Sequence, residues 1–433
     1  MVLFGFVFAI LFAGRAQAFW PWPKKKKKDK TPTELKPAPL PPRETEAKAP
    51  ITVEKLEKLA EEGSTRAQLN LGKMYFEGKG GVKQSYRKAV HYFELGAEQG
   101  SPKAAFNYAL CLDAGYGVKK DRDKALEWYL RAADKGVREA QLNAALMLEE
   151  KGDHEKAFTQ FSRAARGGIT AAMRKCADML TEGKGVGKNL SEAVRYLQMA
   201  SKYGDPRAQV RLADCYQRGL GVECDYEQML NLLWLAANEG DPEAQAKIGF
   251  CFDKGMGTVR DTVKACKWYK VAAEAGYSPA QVALGNCYLE GSGTDRDLAE
   301  AVKWHRRAAD QGDPFGEFSL AVAYDLGRGV EQDKKKAFDW FLRAAEGGYA
   351  RAQHNVATFY EQGTGGVDKD PAIAIEWYKK AAKQNCGEAL TALGFCCLEG
   401  RGVPKNRVTA RKFFLKAAKL GDREAREALR KYF

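Results

Sequence analysis

The chain has 433 residues, of which 45% are apolar, which is enough to bury a substantial core. That length fits two or three ordinary domains or one long repeat array. Lysine and arginine number 70 against 56 aspartates and glutamates, and the resulting net charge of +14 suggests an anionic partner without deciding the fold.

Residues 2–14 form one apolar run, VLFGFVFAILFAG. The run is too short for an ordinary membrane span and is typical of the central region of a signal peptide. Ala16 and Ala18 then form an A-x-A cleavage pattern. We therefore expect residues 1–18 to be a signal peptide, and the protein to be periplasmic or secreted after cleavage near Ala18. No basic residue precedes the run, and lysines follow it, which favours a retained N-terminal anchor or a cytoplasmic chain as alternatives.

Residues 19–50 are rich in proline and lysine, and we expect them to form a flexible linker rather than to fold alone. In a semi-extended polyproline conformation the linker would reach ~100 Å. The five lysines from Lys24 to Lys28 suggest contact with an anionic membrane or polymer. The alternative is that these lysines only keep a spacer solvated.

From Gly63 onward the chain repeats one unit, and the copies that begin at Gly204 and Gly240 show the period of 36 residues. Full units begin at Gly63, Gly100, Gly136, Gly168, Gly204, Gly240, Gly276, Gly312, Gly348 and Asn385. Residues 51–62 and 421–433 resemble half-units. We predict about ten full repeats between two capping helices, so that one domain spans residues 51–433.

The first half of each unit predicts a helix with one apolar face. An Asp-Pro or Ser-Pro pair at positions 2 and 3 predicts an N-cap followed by the first helical residue. Positions 5, 9, 10 and 13 carry small or apolar residues, such as Ala208, Leu212, Ala213 and Tyr216, and lie on one face of the helix. A glycine at position 16, such as Gly219, predicts a left-handed helix end.

The second half of each unit predicts a second helix, antiparallel to the first. Its N-cap is position 22, which holds Ser85, Asp121, Asn189, Asp225, Asp261, Asp297, Asp333, Asp370 and Asn406. Glu192, Gln228 and Glu300 lie three residues after their caps and predict capping boxes. Asn385 replaces the glycine that ends the second helix, which predicts a positive φ there. One unit cannot bury both apolar faces alone, so we predict an all-α solenoid of stacked helix pairs.

The pattern GxxxAxxxLGxxYxxGxGVxxDxxKAxxWYxxAA resembles the Sel-1-like repeat, a relative of the tetratricopeptide repeat, over residues 63–433. The resemblance implies a right-handed α-solenoid superhelix of tandem helix-turn-helix repeats, whose first helices line the concave side. It also implies scaffold or adaptor work and implies no substrate. The third repeat, residues 136–167, has lost four residues and its GxGV loop, so we expect a local change in the superhelical step.

Position 12 holds Cys111, Cys215, Cys251, Cys287 and Cys396 in five repeats and Met or Phe in others, which is typical of a packing position. Equivalent positions in neighbouring repeats lie about 10 Å apart by ordinary helix-packing distances. That separation exceeds the reach of a disulfide, so we expect buried reduced thiols.

Two short motifs could suggest catalysis or nucleotide binding. Ser85 and Lys88 match S-x-x-K, but Ser85 holds the N-cap position and the companion motifs are missing. The glycine-rich segment 183–188, GKGVGK, lies between two predicted helices and lacks the spacing of a phosphate-binding loop. His305 replaces an aromatic residue in a core-facing position, which favours packing. We therefore predict no catalytic, cofactor-binding or metal-ligating residue.

By analogy with tetratricopeptide repeats, positions 7, 11 and 14 of the first helices should face the concave groove. The candidate partner-binding residues are Leu69, Lys73, Phe76, Phe106, Leu110, Asp113, Leu142, Leu146, Arg174, Asp178, Asp214, Phe250, Asn286, Phe318, His354 and Phe395. The first three repeats are notably apolar for a surface, so we expect an apolar peptide or helix to bind there. The alternative is that these side chains pack against the next repeat.

The sequence thus predicts a non-enzymatic scaffold that binds a protein or peptide partner in its groove. One alternative is a binder of an anionic polymer or membrane surface that acts through the basic linker. A second alternative is a hydrolase whose active site lies in the groove. The repeats show no basic stripe, so we expect no specific nucleic-acid partner. The sequence predicts neither the partner's identity nor the oligomeric state.

Overall fold

A computed structural model describes residues 52–433 of the protein. The predicted signal peptide or anchor, residues 1–18, and the predicted linker, residues 19–50, lie outside the described residues. The described part of the chain contains 22 α-helices and no β-strand. The predicted all-α solenoid is therefore confirmed. None of the described helices is both long and apolar enough to cross a membrane.

Ten helix pairs lie between two end helices, α1 (Val53–Glu61) and α22 (Arg423–Tyr432). The first helices of the ten repeats are α2 (Thr65–Glu77), α4 (Pro102–Ala114), α6 (Arg138–Glu150), α8 (Thr170–Glu182), α10 (Pro206–Arg218), α12 (Pro242–Lys254), α14 (Ser278–Glu290), α16 (Pro314–Leu326), α18 (Ala350–Gln362) and α20 (Gly387–Glu399). The second helices are α3 (Tyr86–Glu98), α5 (Arg122–Asp134), α7 (His154–Arg166), α9 (Leu190–Lys202), α11 (Tyr226–Asn238), α13 (Thr262–Glu274), α15 (Leu298–Asp310), α17 (Lys334–Glu346), α19 (Pro371–Lys383) and α21 (Arg407–Lys419).

Each helix packs against the next helix in the chain, so buried side chains continue from repeat to repeat. Of the positions predicted to form the apolar face of α10, Ala208, Leu212 and Ala213 are buried and Tyr216 is half-buried. Trp128 and Tyr129 on α5 are buried as well. Alanine at many of these positions lets neighbouring helices approach closely. No single pair has a core of its own, and the stack supplies one.

The predicted N-caps of the second helices all accept a hydrogen bond from a backbone N–H of the first helical turn. The predicted capping boxes are wrong in their second hydrogen bond, in which the backbone N–H of the N-cap residue would donate to the side chain three residues later. The backbone N–H of Asn189 donates to the carbonyl of Leu180 at 2.9 Å, and that of Asp225 donates to Tyr216 at 3.0 Å. These donors are already satisfied by the preceding first helix, so no side chain three residues on is needed to accept from them.

The helix ends follow the expected glycine chemistry. Gly219 ends α10 at φ 66°, in the left-handed region, and Asn385 is the single described non-glycine residue with a positive φ, at 61°. Both predictions are therefore confirmed.

The second glycine of the loop between the two helices, at position 18, has a different role. A Cβ atom at Gly221 would lie 2.3 Å from the carbonyl oxygen of Leu190, the first residue of the preceding second helix. The loop of one repeat thus lies directly on the start of the second helix of the repeat before it.

The shortened third repeat keeps both helices although it lacks this loop. Its helices α6 and α7 are joined only by Lys151, Gly152 and Asp153. Ion pairs lie where the loop would cover the start of α5: Arg122 contacts Glu150 at 2.7 Å, and Lys151 pairs with Asp123.

Glutamine at position 6 of the unit joins neighbouring repeats. Gln353 on α18 donates from its side chain to the carbonyl of Ala345 at 3.1 Å, near the end of α17. The same bond, eight residues back along the chain, is made by Gln68, Gln141, Gln209, Gln245 and Gln281. The glutamine side chains are buried, and each one is a second donor to a helix-end carbonyl that also accepts from the backbone N–H of the glycine after the helix.

Candidate functional site

The first helices of the ten repeats form one continuous surface, here called the first-helix face. Neighbouring first helices contact each other directly, as α2 with α4 and α14 with α16. The candidate partner-binding residues lie on these helices, and none of them is fully buried.

The solvent-exposed candidates are Lys73, Leu110, Leu146, Phe250 and Asn286. The half-buried candidates are Leu69, Phe76, Phe106, Asp113, Leu142, Arg174, Asp178, Asp214, Phe318, His354 and Phe395. The structure therefore places all sixteen on one surface but in chemically different surroundings, which divide the first-helix face into three parts.

The first three repeats carry an apolar stripe. Leu110 and Leu146 hold position 11 on α4 and α6, and each is 37% exposed. Leu69, Phe106 and Leu142 hold position 7 and are half-buried against the core beneath. The stripe offers exposed leucine tips above half-buried apolar walls, a surface suited to apolar side chains of a partner.

Unpaired amides stand beside this stripe. Asn70 and Asn107 hold position 8 on α2 and α4, and neither side chain makes a hydrogen bond within the described residues. A carboxamide can both donate and accept, which matches the N–H and C=O groups of a peptide backbone. Position 8 was not among the predicted groove positions, although asparagine recurs there in the first three repeats.

An aromatic cluster ends the stripe at the loop side of the first two repeats. The Phe76 ring lies 5.1 Å from Tyr86 and 5.6 Å from Tyr116, centroid to centroid, and the two tyrosines stack at 5.0 Å. Tyr116 is 44% exposed. Tyr86 follows the loop of the first repeat, and Tyr116 lies in the loop of the second repeat. The cluster was not predicted because its three rings come from two different repeats.

The middle repeats carry ion pairs instead of an apolar stripe. Asp178 on α8 pairs with Arg211 on α10, and Asp214 pairs with Lys247 on α12 at 2.6 Å. Lys175 on α8 likewise contacts Glu149 on α6 at 2.7 Å. Each pair joins the first helices of successive repeats.

The predicted residues Asp178 and Asp214 are therefore engaged in holding repeats together. Arg174 is similarly engaged, since its Nε contacts Asp205 at 3.1 Å. The signal in the sequence was a basic residue at position 8 that follows an acidic residue at position 11 of the preceding repeat.

A cavity of about 220 Å³ lies beside these pairs and is lined by Asp214, Lys247, Phe250, Met229 and their neighbours. Binding sites for small molecules usually enclose about 300–1,000 Å³. The charged groups at this cavity already pair with each other, so it offers little to a substrate.

In the last four repeats, most candidate residues contact the second helix of their own repeat. Asn286 Oδ1 accepts a hydrogen bond from His305 Nε2 at 3.1 Å. Phe318 packs on Phe341 at 5.6 Å, and Phe395 packs on Phe414 at 5.0 Å.

His354 is a different case, because its Nδ1 is buried without a hydrogen-bond partner. Burial lowers the pKa of its imidazole, and Glu388 and Glu361 oppose that effect. His354 is therefore held neutral at ordinary pH.

The motifs considered for catalysis have structural roles in the described chain. Ser85 caps α3 by accepting from the backbone N–H of Lys88, and Gly183 ends α8 in the left-handed region. His305 is buried in the core. All ten cysteines are free thiols, and within residues 52–433 no three His, Cys, Asp or Glu side chains gather as metal ligands would.

The model of the Sel1 repeat matches nine segments of the chain. The matched residues are 65–101, 102–137, 170–205, 206–241, 242–277, 278–313, 314–349, 350–386 and 387–422. The shortened third repeat is outside these segments, yet the structure gives it the same two helices. No curated protein matches the chain.

Two solved structures are similar over most of their length. The Sel1 repeat protein from Oxalobacter formigenes is 30% identical, with a TM-score of 0.61, and the match covers 71% of this chain and 90% of that protein. A protective antigen of uropathogenic Escherichia coli, described as having an SLR fold, is 29% identical with a TM-score of 0.56. That match covers 89% of this chain and 91% of the antigen.

Proposed function

The chain belongs to the Sel1 repeat family, and we propose that it is a non-enzymatic scaffold that binds a peptide or protein segment on its first-helix face. Proteins of this family generally act as protein-interaction scaffolds. The observation that carries the proposal is the exposed apolar stripe of the first three repeats, with Leu110 and Leu146 each 37% exposed.

The partner lies along the stripe and crosses α2, α4 and α6. Its apolar side chains contact Leu110 and Leu146 from above and reach the half-buried Phe106 and Leu142 between them. Burial of apolar surface contributes about 25 cal/mol per Å². The amides of Asn70 and Asn107 bind backbone groups of the partner and fix its position along the stripe.

The middle repeats are less suited to this task. A partner that used Asp178 or Asp214 would have to replace their pairs with Arg211 and Lys247, which join neighbouring repeats. Losing such a partly exposed pair costs about 1 kcal/mol or less. The first three repeats offer contacts without that cost.

The proposal includes export, which the apolar run of residues 2–14 and the pattern of Ala16 and Ala18 support. N-terminal sequencing of the protein purified from its natural host tests it. Cleavage after Ala18 is the expected result. A retained run in the membrane fraction would favour the anchor.

The binding test selects peptides from a phage-displayed library of random 12-residue peptides on the immobilised full chain. Binding of the selected peptides to the double variant Leu110→Asp/Leu146→Asp is then measured by fluorescence anisotropy. The selected peptides should be rich in apolar residues, and their affinity should fall at least tenfold, because two buried carboxylates replace apolar contacts.

The matched control is Leu415→Asp, since Leu415 is 41% exposed on the second helix α21. It should leave peptide affinity unchanged, and circular dichroism should show equal helix content in all three proteins. Peptides that bind the double variant as tightly as the wild type would refute the assignment of the stripe. Binding lost equally in the control would refute it too.

A further inference from the structure

The opposite surface, formed by the second helices, changes its chemistry in the middle of the array. The position directly before the Ala-Ala pair of each second helix carries a cation in most repeats. These cations are Arg131, Arg163, Arg307, Arg343, Lys380 and Lys416. Several of them stack on the tryptophan three residues earlier, as Arg131 on Trp128 at 4.4 Å and Arg307 on Trp304 at 4.5 Å.

Three successive repeats replace this cation with an apolar residue. The replacements are Met199 on α9, Leu235 on α11 and Val271 on α13, which are 37%, 53% and 45% exposed. Because equivalent positions on stacked helices lie side by side, the three side chains form a row. Val263, 50% exposed, lies two turns before Val271 on the same face of α13 and widens the row.

This patch is defined by Met199, Leu235, Val263 and Val271. The exposed residues one turn from Leu235 are Asn231, Asn238 and Glu239, the last of which caps the C-terminal end of α11, and α11 carries no basic residue. Beneath the patch the rings of Trp234 and Trp268 pack edge to face at 5.0 Å. The tips therefore stand on a rigid aromatic base.

Cations border the patch on both sides. Arg195 and Lys202 flank Met199 on α9, and Lys267 lies between Val263 and Val271 on α13. None of these three makes an ion pair within the described residues. The acids near the patch are Glu192 and Glu227 in the first turns of α9 and α11, Glu239 at the end of α11, and Glu274, which lies 3.9 Å from Lys270. Glu227 holds the same position on α11 as Val263 holds on α13.

We propose that this patch adsorbs to an anionic lipid surface, with the four apolar tips among the headgroups and the bordering cations against lipid phosphates. Apolar tips between lysines and arginines are the composition of a surface that binds at a membrane interface. Each cation near an anionic membrane contributes attraction that an uncharged bilayer does not supply.

A lipid surface fits this patch better than a folded partner does. The four tips are spread over three helices with polar residues between them, and none of them lines the cavity beside Asp214 or the one beside Trp340. A protein partner would need a matching shape with pockets for the tips. A second copy of the chain would bring the same unpaired cations against each other.

The test measures co-sedimentation of the full chain with vesicles of 70% phosphatidylcholine and 30% phosphatidylglycerol, and with vesicles of phosphatidylcholine alone. All proteins compared carry Gln in place of the five lysines from Lys24 to Lys28, so that this run does not contribute. Leu235→Ser should weaken binding to the anionic vesicles about tenfold, because the most exposed central apolar tip is lost. Lys267→Gln should weaken it about fivefold.

The matched control is Ile373→Ser, because Ile373 is 40% exposed on the second helix α19 and lies outside the patch. It should change binding less than twofold, with unchanged helix content. The proposal is overturned if the chain does not bind the anionic vesicles, if it binds neutral vesicles equally, or if Leu235→Ser binds like the control. Light scattering that shows a dimer dissolved by Leu235→Ser would assign the patch to a second copy and overturn it as well.

Discussion

The imidazole ring of His305 on α15 lies so close to Gly285 on α14 that a Cβ atom added at Gly285 would be 2.4 Å from its Cδ2. Phe93 and Gly72 form the same pair in the first repeat, also at 2.4 Å. His305 thus fills the place of an aromatic core residue, as the sequence predicted. Its Nε2 lies 3.1 Å from Asn286 Oδ1, and burial lowers the pKa of His305 to about 4.

His305 should make the array sensitive to acid. The unfolded chain binds the proton near pH 6.5, whereas the folded chain binds it only near pH 4, so stability is full above pH 6.5 and falls as the pH drops toward 4. The loss amounts to about 3 kcal/mol when the pH is below both values. Hydrogen exchange in α14 and α15 at pH 7.5 and pH 5 measures it.

The control for this effect is His305→Phe, which the pair of Gly72 and Phe93 shows to be sterically compatible. The variant should lose most of the difference in exchange between the two pH values. An equal difference in wild type and variant would show that another group is responsible.

Glu317 on α16 stands where six other repeats have the glutamine that donates to the preceding helix end. It is 8% exposed, and burial raises the pKa of its carboxyl group. An ionised carboxylate cannot donate to the carbonyl of Ala309, which lies eight residues earlier. Glu317→Gln should therefore raise the free energy of unfolding by about 1 kcal/mol at pH 7.5.

The pH dependence gives this prediction its sign. Because the folded pKa of Glu317 is raised, the wild type loses stability as the pH rises through that value and keeps it below the unfolded pKa of about 4.5. The advantage of Glu317→Gln, measured by thermal unfolding, should shrink toward pH 4.5. An advantage that stays constant or grows on acidification would contradict the mechanism.

Gly221 should tolerate no side chain, because a Cβ atom there would collide with the carbonyl of Leu190 in the preceding repeat at 2.3 Å. Gly240 provides a matched comparison, since its φ of 86° is also left-handed but nothing lies within 4 Å of an added Cβ. Gly240→Ala should cost about 1–2 kcal/mol from its backbone alone. Gly221→Ala should cost a further 1–3 kcal/mol, roughly, because the loop must move. If urea unfolding shows that the two variants lose the same free energy of unfolding, the loop at Gly221 does not pack tightly against the preceding repeat.

The ion pair of Lys247 and Asp214 should contribute little to stability, although it joins two repeats at 2.6 Å. The two side chains are 29% and 39% exposed, so solvent screens their attraction. A double-mutant cycle with Lys247→Met and Asp214→Asn should give a coupling energy of about 1 kcal/mol or less, and 1 M NaCl should reduce it. A coupling above about 2 kcal/mol that salt does not change would contradict this view.

Much of the fold could be predicted because each repeat carries the same capping and helix-ending residues. The caps at position 22, the left-handed end at Gly219 and the positive φ at Asn385 depend on neighbours a few residues away. The capping boxes failed for the opposite reason. The N–H of Asn189 is taken by Leu180, a carbonyl of another helix.

The candidate binding surface was predictable only in part. Periodicity places Leu110, Asp178 and Phe318 on the same face of their helices, and the structure places them on one surface. Periodicity does not predict that Asp178 pairs with Arg211, that Phe318 packs on Phe341 or that Leu110 remains exposed.

The sequence by itself determined where helices begin and end and which face of each is apolar, because capping and amphipathic periodicity act within about one helical turn or along one helix. Only the tertiary structure decided which surface residues remain available, since availability depends on what the adjacent repeat presents. Leu235 and Arg307 hold the same position in the unit, and only the stacked array shows that Leu235 stands in a row with Met199 and Val271 while Arg307 lies over Trp304.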